Sequence, residues 1–258
     1  MCELYGFTGK KPKQLNRDLT EFFSHSNAHP DGWGLALMNG NRHLIRKRQC
    51  AAHQSSELRQ ILRSPIRSEK AIAHIRFATV GYDDYNNTHP FWAEDDSGRS
   101  WIFAHNGTVF EGGEKLSPYQ ISQKGTTDSE RIFLLLLDRV NQALRKKGGA
   151  LDADERFAVV DELVRDISHR NKINLLIDDG SSFYVHTNER GTLYSQENAN
   201  GVTFSTHPLG KAQWKPVPMM TTLAYQNGRL LRAGTPHHNE YIPDEEAIAA
   251  LFLAYSGL

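Results

Sequence analysis

The stretch Met1-Cys2-Glu3-Leu4-Tyr5-Gly6-Phe7 decides how the rest of the chain is read. A cysteine follows the initiator methionine, so removal of Met1 makes Cys2 the N-terminal residue, with a thiol and a free α-amine on one carbon. An α-amine titrates near ~7.7–8.0 and a free thiol near ~8.5, so the amine can take the thiol proton without a second side chain. A small cysteine is also an ordinary occupant of a first strand, and position 2 alone does not separate the two roles. Cysteine is small enough for an aminopeptidase to remove the methionine before it, so a mature chain beginning at Cys2 is expected.

Working outward, residues 3–7 read as a strand, and Leu15, Leu19, Phe22 and Phe23 fall at helical spacing. Asn27-Ala28-His29-Pro30-Asp31-Gly32-Trp33-Gly34 is a turn-rich loop ahead of a strand, Leu35 to Met38. Asn39-Gly40 is a hairpin signal with His43 to Lys47 as its return strand, and Ser55 to Arg63 is a short helix that Pro65 ends. His25 and His29 lie four apart, but Pro30 and Gly32 place the second in a loop, which argues against a helical metal pair.

Lys70 to Phe77 alternates as a half-buried strand does and runs through Ala78-Thr79-Val80-Gly81 into a polar loop, Tyr82 to Thr88, that could act as a lid. Trp101 to Ala104 is a further strand, emptying into His105-Asn106-Gly107. An asparagine amide beside a glycine N–H can supply two donors to an oxyanion, whereas in isolation the same pair reads as a hairpin turn. Thr127 or Asp128 caps the longest helix, Arg131 to Lys147, and Asp152 to His169 forms a second, amphipathic one.

From Ile173 onward the period is that of strands: 173–177, 182–186, 192–194, 202–205 and 221–225, the last paired with 230–232 across Asn227-Gly228. A helix from Asp244 to Tyr255 closes the chain. Helical layers around paired, mainly antiparallel sheets, α+β, in one domain spanning 1–258, is the economical reading.

Composition narrows the function. The 258 residues carry 30 basic and 30 acidic side chains, so no net field steers the chain to nucleic acid or an anionic membrane, and neither is expected as a partner. The longest apolar run, Ile132 to Leu137, is far short of the ~20 residues of a membrane-spanning helix. Cys2 and Cys50 allow at most one bridge, and the N-terminus lacks the pattern of a secretory signal, so a cytoplasmic setting is expected.

Five blocks taken together carry more than any one of them. Cys2, His74-Ile75-Arg76-Phe77-Ala78-Thr79, Thr88-His89-Pro90, His105-Asn106-Gly107 and Thr127-Asp128-Ser129-Glu130 resemble, in order and spacing, the class II glutamine amidotransferase domain of the N-terminal-nucleophile hydrolases. His29-Pro30-Asp31-Gly32-Trp33-Gly34 and Ser205-Thr206-His207-Pro208-Leu209 further resemble the stand-alone YafJ/Dug3/ergothioneine-amidohydrolase-like subfamily. Phe77 and Val80 depart from the tryptophan and histidine that many relatives carry.

That resemblance implies a four-layer αββα sandwich and an amidohydrolase that cleaves the γ-amide of glutamine or a γ-glutamyl compound. It implies Cys2 as nucleophile, Asn106 and Gly107 as oxyanion donors, and Arg76, Thr79, His105 and Asp128 as substrate-binding residues, with no cofactor and no metal. Arg76 would hold the substrate α-carboxylate and Asp128 its α-ammonium. Nothing in the chain resembles a synthetase that would consume ammonia, so a separately encoded partner synthetase is the alternative to hydrolysis alone. Two readings of other classes are a zinc site built from His74, His89 and His105 beside a thiol, and a non-catalytic module.

Overall fold

The computed structural model describes residues 2–40, 42–78, 84–246 and 249–250. The strands of its first half are β1 (Glu3–Gln14), β2 (Trp33–Asn39), β3 (Arg42–Arg48), β4 (Arg67–Ile75), β5 (Phe91–Glu94) and β6 (Ser100–Thr108). Those of the second half are β7 (Lys172–Asp178), β8 (Phe183–His186), β9 (Tyr194–Asn198), β10 (Gly201–Ser205), β11 (Lys215–Pro216), β12 (Leu223–Gln226) and β13 (Arg229–Ala233). Four α-helices accompany them among the described residues: α1 (Asn16–Ser24), α2 (Ser56–Arg63), α3 (Asp128–Lys147) and α4 (Ala153–Ile167).

The strands form two sheets, ordered β11-β9-β10-β1-β4-β2-β3 and β13-β12-β8-β7-β6-β5. Every strand pairing among the described residues is antiparallel, and the N-terminal stretch enters as a central strand between β10 and β4. Alternation sorts β1: Tyr5 and Phe7 point outward onto α1 and α2, where they join Leu19, Phe22 and Leu58, while Leu4 points inward. The inward face packs on the second sheet through Ile72, Ile102, Ala104, Leu176, Phe183 and Phe204. The far face of the second sheet, Trp101, Phe103, Leu175 and Ile177, is covered by α3 and α4. The layers are thus α, β, β, α, the fold expected.

Local chemistry fixes the boundaries. Thr127, not Asp128, caps α3, its hydroxyl accepting the Glu130 N–H at 3.3 Å, and Gly148 ends it at a φ of 72°. Asp152 and Glu155 form a capping box at α4. Asn227 and Gly228 both take positive φ in the β12–β13 hairpin, as that dipeptide requires.

Two expectations change, and one strand is added. The strand placed at 101–104 extends to Thr108, so Asn106 and Gly107 lie inside β6, paired with Asn174 and Ile173, and are not a hairpin turn. The strand placed at 192–194 begins at Tyr194, because Thr192 is drawn into a turn by its hydroxyl bond to the Glu189 carbonyl at 2.7 Å. Phe91–Glu94, which the sequence reading assigned to no element, pairs with β6 as β5. The closing helix at 244–255 falls largely outside the described residues, as do Thr79 and the first two residues of the proposed lid.

Candidate active site

Cys2 sits at the mouth of the gap between the sheets. Continuing the Glu3–Ile75 register by one residue sets it beside Arg76, and both share the inward face of their strands. The sulfur lies 3.4 Å from both the backbone N–H and the carbonyl oxygen of Phe77. A thiol can donate to that carbonyl and a thiolate can accept from that N–H, so both protonation states have a partner. Burial pushes the thiol above its ordinary value, while the Phe77 N–H, Arg76, the chain's amino terminus and Lys172 pull it back. A base is therefore needed to ionise Cys2 at neutral pH.

The loop at 29–34 braces this corner. Arg76 N–H donates to the Gly32 carbonyl at 2.8 Å, Asp31 N–H to the Arg76 carbonyl at 3.1 Å, and Ala78 N–H to Asp31 Oδ2 at 2.6 Å. Arg76 itself is buried. Beneath Cys2, Glu3 on the outward face meets His25 Nδ1 at 2.8 Å, with His29 and His207 Nε2 at 3.6 and 3.7 Å.

The second sheet supplies the facing groups. Ile102 and Ala104 point inward, so alternation also points Asn106 inward, toward the corner occupied by Cys2. Asn106 is buried, yet its side-chain amide makes no hydrogen bond to another described residue. Gly107 leaves no room for a Cβ, because the Lys172 carbonyl occupies that space. Asp128 lies at the start of α3, its Oδ2 accepting the Val109 N–H and its Oδ1 the Ser129 N–H, both at 2.8 Å. Since Thr127 does the capping, each Asp128 oxygen keeps a lone pair for another donor.

His105 points to the other side of β6, toward α3. Its Nε2 faces the Lys172 carbonyl at 3.2 Å and so carries the proton, leaving Nδ1 to accept from the Ser129 hydroxyl at 2.9 Å. Burial holds the ring below its ordinary pKa, and therefore neutral. The His74 and His89 rings lie 4.3 Å apart, tilted by 39°, and no ring nitrogen of either has a hydrogen-bond partner among the described residues. Burial brings His74 down to about 3 and lowers His89 further below its usual range. Both nitrogens of His105 are thus engaged, which dismantles the three-histidine zinc set. Among the described residues no group of three or more His, Cys, Asp or Glu is arranged to hold a metal ion.

Trp33 is fully buried in the outer core against Phe23, so its ring is not available to stack on a substrate. Tyr85 remains 46% exposed, at the rim of a cleft of about 370 Å³ lined by Lys47, Phe91, Trp92 and Glu130. Burial brings the Lys47 ammonium down to about 8, and it donates to the Thr88 carbonyl at 2.6 Å. Two groups escaped sequence reasoning altogether, the Phe77 backbone and a buried Lys172–Glu189 ion pair at 2.5 Å. The one sequence signal for the latter was Lys172 and Asn174 alternating with apolar residues at the start of a strand.

Comparisons with known proteins agree with this architecture. The family model of class-II glutamine amidotransferases matches residues 1–196. YafJ of Escherichia coli, described as a glutamine amidotransferase, is 31% identical over 70% of this chain and 70% of its own. An uncharacterised protein of Methanocaldococcus jannaschii is 26% identical over 90% of this chain and 71% of its own. Among solved structures, a predicted glutamine amidotransferase from Pseudomonas aeruginosa superposes with a TM-score of 0.64 at 24% identity, covering 90% of this chain and all of that one. The glutamine phosphoribosylpyrophosphate amidotransferase of B. subtilis superposes at 0.65 and 17% identity, covering 90% of this chain and 48% of its own, a likeness of fold. With its N-terminal cysteine strand, its facing sheets and a family match over three-quarters of its length, the chain belongs to the class-II glutamine amidotransferases.

Proposed function

We propose that this chain, as one domain spanning 1–258, hydrolyses the γ-amide of glutamine or a γ-glutamyl compound through a thioester on Cys2. The observation that carries the reading is the place of Asn106 on the inward face of the second sheet, with no side-chain hydrogen bond to another described residue. An amide N–H left free to donate is what a developing oxyanion requires.

The Cys2 α-amine, once Met1 is removed, takes the thiol proton, and the Phe77 N–H steadies the thiolate. The sulfur attacks the γ-carbonyl carbon, and the oxygen charge falls on Asn106 Nδ2 and the Gly107 N–H. The intermediate collapses as the amine leaves with the proton from the α-ammonium. Water, deprotonated by the same α-amine, then attacks the γ-glutamyl thioester, releasing glutamate and restoring the thiol.

Arg76 holds the α-carboxylate and Asp128 the α-ammonium, which pins both ends of a free amino acid. Thr79 belongs to the same binding set, and His105 supports Asn106–Gly107 from behind through Lys172 and Ser129. The cleft beside Tyr85 borders Glu130, two residues along α3 from Asp128, and offers room for a leaving amine. Cytoplasmic hydrolysis needs no further component; delivery of ammonia to a separately encoded synthetase is the alternative use of the same chemistry.

The test is a panel of glutamine, γ-glutamyl dipeptides, an α-peptide and N-acetylglutamine assayed for glutamate release. Cleavage of the γ-glutamyl substrates, slower cleavage of glutamine and none of the others is expected. N-acetylglutamine turned over as fast as glutamine would remove Asp128 from the substrate site.

A further inference from the structure

Two stretches singled out in the sequence, His29 to Gly34 and Ser205 to Leu209, carry no step of the proposed reaction, yet the fold brings a histidine from each to the residue that follows the nucleophile. Glu3 is joined to Cys2 by one peptide bond, and alternation turns its side chain to the opposite face of β1. Its carboxylate is buried. His25 Nδ1, at the end of α1, meets Oε2 at 2.8 Å, and His29 Nε2 and His207 Nε2 lie 3.6 and 3.7 Å from Oε1. Side chains from both ends of the chain thus converge on one carboxylate.

Contacts tie this cluster to the sulfur from two directions. His29 Nδ1 donates to the His25 carbonyl at 2.9 Å, so Nε2 is the nitrogen turned to Glu3. The same ring lies edge-on to the Phe77 ring, with centroids 6.4 Å apart and planes at 81°, and it is the Phe77 backbone that holds the Cys2 sulfur. On the other side of β1, the Leu4 N–H donates to the Thr206 hydroxyl at 2.9 Å and the Thr206 N–H to the Leu4 carbonyl at 3.0 Å, which seats His207 one residue further on. A chain end frays unless it is tied down, and Glu3 is the first side chain behind Cys2 able to tie it. A well-packed apolar residue would fill the same space without desolvating a carboxylate, so packing alone does not account for Glu3.

We propose that Glu3 is a positioning residue for the hydrolysis: gripped by His25, with His29 and His207 closing round it, it fixes the backbone of the terminal residue and so aims the Cys2 sulfur at the γ-carbonyl carbon. It touches neither the substrate nor the sulfur and acts through the peptide bond it shares with Cys2. Misplacing a nucleophile by ~1 Å costs on the order of 10²-fold in rate, so a grip of this kind has a measurable effect. A carboxylate serving the fold alone would show in unfolding and leave the sulfur of the folded chain as it was. Loosening the grip moves turnover and thiol accessibility in opposite directions, because a freed sulfur leaves the Phe77 backbone, meets solvent reagents more often and meets the bound γ-carbonyl less often.

The inference rests on Cys2 as the nucleophile of the proposed reaction, and one arm of its test needs no turnover, so the two can fail separately. On the mature chain, with removal of Met1 checked by intact mass and folding by circular dichroism, glutamate release from glutamine and iodoacetamide alkylation of the Cys2 peptide are measured side by side, with Cys50 as internal reference. Glu3→Met is expected to lower kcat about 10–100-fold with KM within about twofold, and to speed Cys2 alkylation relative to Cys50 about 3–10-fold. His25→Ala, which removes the partner at 2.8 Å and leaves β1 itself unaltered, is expected to move both readouts the same way by less, and the double variant to be no worse than Glu3→Met alone. Glu3→Gln, which keeps an oxygen for the His25 N–H, is expected to stay nearer wild type in both. If Glu3→Met does not fold, the His25→Ala arm decides alone. A wild-type kcat in the folded variant, or Cys2 alkylation unchanged or slowed, overturns the proposal. A wild-type chain that releases no glutamate overturns the hydrolysis instead and leaves alkylation to decide on Glu3.

Discussion

The gap between the two sheets is closed at both ends by polar groups, and the two ends treat them differently. At the end remote from Cys2, Lys70 of β4 reaches across to Asp178 of β7 at 2.6 Å and also donates to the Gly180 carbonyl at 2.8 Å. The neighbouring Asp179 accepts from Arg156 Nε at 2.6 Å, from the Tyr184 hydroxyl at 2.7 Å and from the Ser182 N–H at 2.6 Å. Burial pushes Asp179 up, but Arg156 and these hydrogen bonds outweigh it and hold the carboxyl below its ordinary value. Every carboxylate there is satisfied. At the Cys2 end the Asn106 amide has no described partner, the Asp128 oxygens keep lone pairs, and both nitrogens of His74 are unmatched. One end spends its polar groups on holding the sheets together, and the other keeps them for something that arrives.

The comparison breaks most sharply at the nucleophile. Cys2→Ala is expected to lower kcat by at least about 10⁴-fold while leaving the melting temperature and glutamine binding close to wild type. Residual turnover near the wild-type rate, measured as glutamate release, would move the chemistry elsewhere. Next comes the structural end: Lys70→Met strands the buried Asp178 carboxylate and is expected to cost about 3–5 kcal/mol in urea unfolding, with kcat of the folded fraction unchanged. A fall in kcat without a fall in stability would erase the division of labour between the two ends.

Asn106→Ala should behave in the opposite sense, losing on the order of 10²–10³ in kcat with little change in KM or stability. A raised KM at constant kcat would make Asn106 a ground-state binder. The last effect concerns acid. His74 and His186 are each brought down to about 3 by burial, so the stability they contribute is fully present above the ordinary histidine value and is lost as pH falls below it. Between pH 7 and pH 5 the two together are expected to remove on the order of 4 kcal/mol from the unfolding free energy. An unfolding midpoint unchanged over that interval would mean that both rings gain protons without the fold opening.

Much of this was legible in the chain. Alternation in Lys70 to Phe77, the apolar girdle of 132–144, the Asn227-Gly228 hairpin and the caps at Thr127 and Asp152 are written in residues close together, and each forms where its local chemistry places it. The same holds for the juxtaposition of a cysteine and its future α-amine, which is covalent and needs no fold.

What the tertiary structure decided is the meaning of each face. Periodicity says that Asn106 and His105 point opposite ways, but only the pairing of β6 with β7 and the packing of α3 say which one faces the gap between the sheets and which meets Ser129. Asn106-Gly107 reads as a turn from neighbouring residues because nothing nearby in sequence reveals the Ile173–Asn174 partners that make it strand. The Phe77 backbone at the sulfur, the Lys172–Glu189 pair in the facing wall and the burial of Trp33 are likewise long-range. Local sequence fixes dihedral preferences and which side chains share a face, whereas charge pairing and burial depend on which strand lies alongside, and that is settled only when the whole sheet is assembled.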